Sequence, residues 1–138
     1  MTYEEKKAWL GRYREASRIE RLKLDEFREL RSAAEHITQV LSPTPGGSGD
    51  GKALPRAVER IENARLEALN QAVLCAIVRA EVLQVISDVE DATDYEILTR
   101  RYIRGEKWEQ IADKMKLDRR WITRRHRTAV ESLTLESP

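Results

Sequence analysis

Cysteine is almost missing from this 138-residue chain, with Cys75 standing alone. A single cysteine excludes an intramolecular disulfide, and with only His36 and His126 beside it there are too few ligands for a structural zinc site. That usage fits a reducing, cytoplasmic setting. Aromatic residues are equally scarce, at 6% with a single Phe. Sparse aromatic and β-branched residues, set against abundant Arg, Glu, Leu and Ala, disfavour a sheet-rich protein. Net charge is missing too, because 25 Lys and Arg face 24 Asp and Glu. Long apolar runs are lacking. The longest, Ala72 to Val78, falls far short of the roughly 20 residues that cross a bilayer, so no membrane partner is expected. The charged start at Glu4 to Lys7 is followed by no apolar stretch, which argues against an export signal.

Glycine and proline are also rare, and most of them fall in one place. Ser42 to Gly51 holds four of the six glycines and two of the four prolines. Neither helix nor strand survives that composition, so the segment reads as a flexible connection. It lacks the Lys-Ser/Thr pair of a phosphate-cradling loop. The chain is expected to be all-α. Residues 1–90 read as a long, coiled-coil-like helical hairpin with its Pro/Gly linker at 42–53, and residues 91–138 as a separate small domain.

In the first arm, Thr2 and Glu5 make a capping box. Phe27, Leu30, Ala34, Ile37 and Leu41 then recur at spacings of three and four. Carried backward, this stripe meets Lys23 and Glu20 before reaching Ala16, Tyr13 and Trp9, while Ile19 and Leu22 fall on a neighbouring face. A bend or a change of packing partner is therefore expected near the middle. In the second arm, Pro55 suits a first helical turn. Val58, Ile61, Ala68, Ala72, Cys75, Val82, Ile86 and Val89 follow the same alternation, and the all-apolar Ala72 to Val78 implies deep burial. Two such stripes on one hairpin leave apolar surface for a second copy, so a homodimer is expected.

The last 46 residues change character, with eleven basic groups against eight acidic between residues 93 and 138. Asp88, Glu90, Asp91 and Asp94 mark a break, best read as helix-start carboxylates rather than metal ligands. Thr93 with Glu96 offers a second capping box. Three short helices are expected, over about 94–103, 107–115 and 119–133, parted by Gly105 and by Leu117-Asp118. Trp108 to Ile122 has the pattern of a helix-turn-helix. Ile111, Met115, Leu117 and Ile122 supply its small core, Ala112 sits where the backbones approach, and Asp118 caps the second helix. On that helix Ile122, His126, Ala129 and Leu133 point inward. Arg119, Arg120, Thr123, Arg124 and Arg127 lie on the other side and are the candidate DNA-binding residues. Arg forks match guanine edges and phosphates, and a helix of this kind enters the major groove. Tyr102, Trp108 and Trp121 are expected to pack in the core. The bland alternative for the arginines is a solvated face paired with Glu109, Asp113 and Glu131.

The residues Arg101-Tyr102-Ile103, Gly105, Trp108, Ile111-Ala112, His126, Ala129 and Leu133 together resemble region 4 of bacterial sigma factors. The likeness is greater still to the sigma-like regulators of Gram-positive phages and prophages, the ArpU/RinA group. It covers roughly residues 95–133, with only architectural likeness before that. Lys116 stands where such motifs carry Gly in the turn, which predicts a left-handed backbone there, and Asp118 and Lys107 replace the usual Ser or Thr caps. The resemblance implies a DNA-binding transcriptional regulator of phage late genes, acting in the cytoplasm of a bacterial host. Its partners would be promoter or operator DNA and, through the same region, RNA polymerase. A DNA-packaging component similar to a terminase small subunit, or a helical protein-interaction module, would share much of the same pattern. No catalytic constellation or cofactor motif is visible, so an enzyme is not expected.

Overall fold

The computed structural model describes residues 1–40 and 51–135, with side chains 37–40 excepted, and the described residues contain helices and no strand. The helices are α1 (Tyr3–Leu10), α2 (Arg12–Val40), α3 (Ala53–Ser87), α4 (Ala92–Tyr102), α5 (Trp108–Met115) and α6 (Arg119–Ser132). The all-α expectation holds. Of the linker expected at 42–53 only Gly51, Lys52 and Ala53 fall among the described residues, with Ala53 already opening α3, and the side chains of Ile37 and Leu41 lie outside them. Two compact units emerge, one made of Met1–Ala16 with Cys75–Pro138 and the other of Ser17–Leu74.

The first unit is built around one apolar cluster in which Leu10, Val78, Val82, Ile86, Leu98, Tyr102, Ala129, Val130 and Leu133 are buried. These come from α1, α3, α4 and α6. A second cluster joins Ile97, Ile111 and Ile122, covered by Trp108, Ala112 and Met115. Consecutive residues on a helix point about 100° apart, so α4 serves both clusters with Ile97 on one side and Leu98 on the other. α6 does the same along its length, giving Ile122 to the isoleucine cluster and its last turns to the larger one.

Local chemistry explains where these helices start and stop. Thr2 accepts from the Glu5 amide at 3.1 Å while Glu5 accepts from the Thr2 amide at 3.0 Å, which is the expected capping box. At α4 the expected Thr93–Glu96 box is not used. Asp91 caps instead, accepting from the Asp94 amide at 2.9 Å; a carboxylate is at least as good an N-cap as a hydroxyl and also favours the helix dipole. Asp118 caps α6 through the Trp121 amide at 3.3 Å, as expected. Lys116 ends α5 in the left-handed region, φ 55°, and the Leu117 amide reaches back to the Ala112 carbonyl at 3.1 Å. That is a Schellman-type ending made without glycine. Leu117 itself is exposed rather than in the small core, because this turn carries it past the end of α5.

Two features of the long helices stand out. α2 runs continuously from Arg12 to Val40, and the helix before it is interrupted at Gly11, where hydrogen bonding nonetheless continues from Gly11 to Lys7 and from Glu15 to Gly11. Ala16 is buried, and Glu20, Lys23, Phe27, Leu30 and Ala34 are all half-buried in one line. Long methylene stems can cover apolar surface while their charges stay wet, so Lys23 and Glu20 extend the stripe instead of breaking it.

One expectation is corrected at α3. Cys75 and Val78 are buried, yet Val73, Leu74 and Ile77 are 54%, 49% and 52% exposed, so Ala72 to Val78 is not deeply enclosed. Val58 is exposed as well. Only one side of α3 is covered: Ala64, Ala68, Gln71, Cys75, Val78, Val82 and Ile86 follow a three-four spacing, while Leu66, Leu69, Val73 and Ile77 lie on the opposite side. By length and composition alone α3 could cross a membrane, and only 28% of its apolar stretch is buried. The uninterrupted run is short because Asn70 and Gln71 end it on one side and Arg79 on the other, while the longer stretch around it stays apolar on average.

Two backbone positions make opposed predictions. Gly105 sits at φ +68°, and a Cβ there would strike the guanidinium of Arg14. Gly105→Ala should lower stability by about 1–2 kcal/mol, the usual penalty for a left-handed residue with a side chain. Lys116→Gly should raise it by up to about 1 kcal/mol by removing the same penalty. Urea unfolding followed by helicity measures both, and a shift of the same sign in the two variants would contradict this account.

Candidate functional site

α6 is 14 residues long, about 21 Å at the standard rise, and its first turn carries no acidic residue. Ile122, His126, Ala129, Val130 and Leu133 are buried along one side. Arg119, Arg120, Arg124 and Arg127 are exposed, and Thr123 is half-buried. The expected division of the helix into an inner and an outer face is therefore present.

The outer residues are not equivalent. Arg119 pairs with Glu109 at 3.1 Å. Arg127 donates from Nε to Glu131 at 2.9 Å and lies 4.5 Å from the centre of the Tyr3 ring. Among the described residues Arg120 and Arg124 make no ion pair, so their guanidinium groups are open to a partner. Two of the anticipated ion pairs, to Glu109 and to Glu131, thus form, and they involve the two outlying arginines. Thr123 returns its hydroxyl to the Arg120 carbonyl at 3.0 Å, which occupies its donor on its own helix. Arg125, on the same helix, faces away to bind Asp94 at 2.6 Å and Asp91 at 3.4 Å. Trp121 is 39% exposed and belongs to neither apolar cluster. The expectation that it packs in the core is corrected: three residues past the Asp118 cap it falls on the flank between the inner and outer faces, beside Arg124, Arg125 and Thr128.

Beneath the arginine face lies a polar core. His126 Nε2 and the Tyr102 hydroxyl are 2.7 Å apart, and the His126 ring also meets the Trp108 ring edge-on at 4.6 Å between centroids. Burial, with Arg101 and Lys7 adding positive potential, pushes His126 down to about 4. Its ring is therefore neutral near pH 7. Burial pushes the Tyr102 hydroxyl well above its ordinary range. Below α4, the Glu106 carboxylate is buried with Lys114 at 2.7 Å and Arg100 at 3.2 Å. Burial acts to raise its pKa, but those two cations outweigh it and hold the carboxyl below the usual range.

Sequence reasoning named the outer face of α6 and the inward His126. It missed the elements that hold α6 in place. Lys6 of α1 donates to the carbonyls of Glu131 and Leu133 at 2.8 and 2.7 Å, capping the far end of α6. Glu106, Arg125 and Tyr3 were missed as well. The partners of Arg125 and Tyr3 are distant in sequence, whereas Glu106 meets Arg100 and Lys114 six and eight residues away, across the turn at Gly105. Among the described residues no group of His, Cys, Asp and Glu is arranged to hold a metal ion. No family model, curated protein or solved structure matches the chain.

His126 makes stability depend on pH. Its folded pKa lies below the unfolded value of about 6.5, so the unfolded chain binds a proton that the folded chain refuses. Stability is full above pH 6.5 and falls as pH drops from there toward 4, by about 3 kcal/mol from this group. His126→Gln keeps a hydrogen-bond partner for Tyr102 and removes the titration. Urea unfolding at pH 7.5, 6 and 4.5 should show a steep loss in the parent and a flatter one in the variant. Parallel curves would exclude His126 as the source.

Proposed function

We propose that the protein is a sequence-specific, double-stranded-DNA-binding transcriptional regulator of phage or prophage type. In this reading α5, the Lys116–Asp118 turn and α6 form a helix-turn-helix of the sigma region 4 kind, and α6 is the reading helix. The observation that carries it is the open pair Arg120 and Arg124, exposed on the side of α6 opposite Ile122, His126 and Ala129. A helix about 21 Å long with unpaired arginines in its N-terminal half suits a major groove about 12 Å wide, where Arg forks take guanine O6 and N7. The resemblance of residues 95–133 to phage regulators supports promoter DNA as the target, late-gene activation as the role and RNA polymerase as a further partner.

The ion pairs refine the roles within the face. Arg120 and Arg124 are assigned to bases. Arg119 and Arg127, already neutralised by Glu109 and Glu131, are assigned to phosphates at the margins. Arg120→Ala and Arg124→Ala should each cost about 1–3 kcal/mol on the cognate site and blur preference at one base position. Arg119→Ala and Arg127→Ala should weaken all sequences alike and reduce the log–log salt slope by about 0.9 or less. Selection of sites from a random duplex pool, followed by binding isotherms at several salt concentrations, measures both. Parent-like binding by Arg120→Ala and Arg124→Ala at every salt concentration would sink the assignment.

A protein-interaction reading has its own support in the uncovered side of α3, where Leu66, Leu69, Val73 and Ile77 are exposed at helical spacing. We infer that this side associates with a second copy, which would also present two reading helices to two half-sites. Sedimentation should show a dimer at tens of micromolar, and Leu69→Glu with Val73→Glu should convert it to monomer without loss of helicity. A parent that sediments as a monomer with and without DNA excludes self-association.

A further inference from the structure

Beside the reading helix lies a cleft of about 450 Å³, walled by α1, α4, the start of α5 and α6. Its cations are Lys7 and Arg101. Each is steadied by a ring: Lys7 Nζ stands 4.9 Å from the centre of Tyr3 and the Arg101 guanidinium 4.4 Å from the centre of Trp108. Arg101 gives one N–H to the Glu106 carbonyl at 3.1 Å and keeps four of its five donors. Both cations line the same cleft as His126, whose neutral ring adds no further positive charge to it. The acid of the cleft is Glu4, which meets Lys7 at 3.2 Å with a side chain 75% exposed. Such a surface pair is weak and easily exchanged. Thr123 lines the same cleft, one residue before Arg124, so the opening borders the arginine face.

Two cations, a donor fork and aromatic walls fit a phosphate group better than a carboxylate-free apolar ligand or a cation. We propose that this cleft binds a phosphate group between Lys7 Nζ and the Arg101 guanidinium. The source is either a DNA backbone phosphate flanking the site read by α6, which rests on the function proposed above, or a free phosphate ester, which does not.

The test compares the full chain with the double variant Lys7→Gln, Arg101→Gln and with the conservative Lys7→Arg, Arg101→Lys, helicity being checked for each. Duplex binding across salt forms one arm. The double variant should lose about 0.9 from the log–log slope with equal weakening on all sequences, and the conservative variant should retain it. Titration with inorganic phosphate and with a mononucleotide forms the other arm, read by Trp108 emission in a Trp9→Phe, Trp121→Phe background. Glu4→Gln, which removes the competing acid, should tighten binding in whichever arm responds. A slope change with no emission change assigns the site to the DNA backbone. An emission change lost in the double variant, with the slope unmoved, assigns it to a free phosphate ester, and that result stands even if the parent binds no duplex. If neither arm separates the double variant from the parent, the cleft is not a phosphate site.

Discussion

The roll of α6 about its own axis is fixed by what its inner side must bury, and the outer surface inherits that choice. Ile122 is locked into a cluster with Ile97 and Ile111, while Ala129, Val130 and Leu133 close the larger core. Two anchoring regions, a little under two turns apart, leave the helix no freedom to rotate. Because neighbouring residues differ by about 100°, a shift of one position would bury an arginine and expose an isoleucine. Burying an unpaired guanidinium costs several kcal/mol and losing a buried isoleucine costs about as much, so the outward direction of Arg120 and Arg124 is strongly enforced.

Polar groups then add direction to what apolar packing alone would leave loose. Between the two clusters, His126 and Tyr102 satisfy each other. Arg125 ties α6 to the start of α4 through Asp91 and Asp94, and Glu106 ties the end of α4 to α5 through Lys114. Buried polar pairs contribute little net stability compared with apolar isosteres, but each one admits a single geometry. In a three-helix arrangement with a core this small, those pairs specify crossing angles that three isoleucines could not. None of these contacts draws on Arg120 or Arg124, which among the described residues form no ion pair.

Much of this was legible in the sequence because it is periodic or local. The boundaries of α5 and α6, the Thr2 and Asp118 caps, the left-handed Lys116 and the inward side of α6 all follow from residues fewer than five apart. The mistakes share a cause. Val73, Leu74 and Ile77 were expected inside because they are apolar, yet burial depends on how many neighbours cover a helix, and α3 is covered on one side only. Lys23 and Glu20 were expected to interrupt a stripe because they are charged, although their stems are apolar. Trp121 was expected inside although it borders the outer face of α6, and it is exposed there. At the candidate site, the outward arginines and the partners Glu109 and Glu131 could be read from spacing, but not which arginine each would take. The added contact of Arg127 with Tyr3 joins residues 124 positions apart and left no local signal.

The bond from Lys6 to the carbonyls of Glu131 and Leu133 spans 125 and 127 positions along the chain. Its closure therefore waits until both α1 and the end of α6 have been synthesised. Until α6 arrives, the cluster that holds Leu10, Val82, Ile86 and Leu98 lacks Ala129, Val130 and Leu133, and apolar surface left exposed in this way is where partly folded chains aggregate and chaperones act.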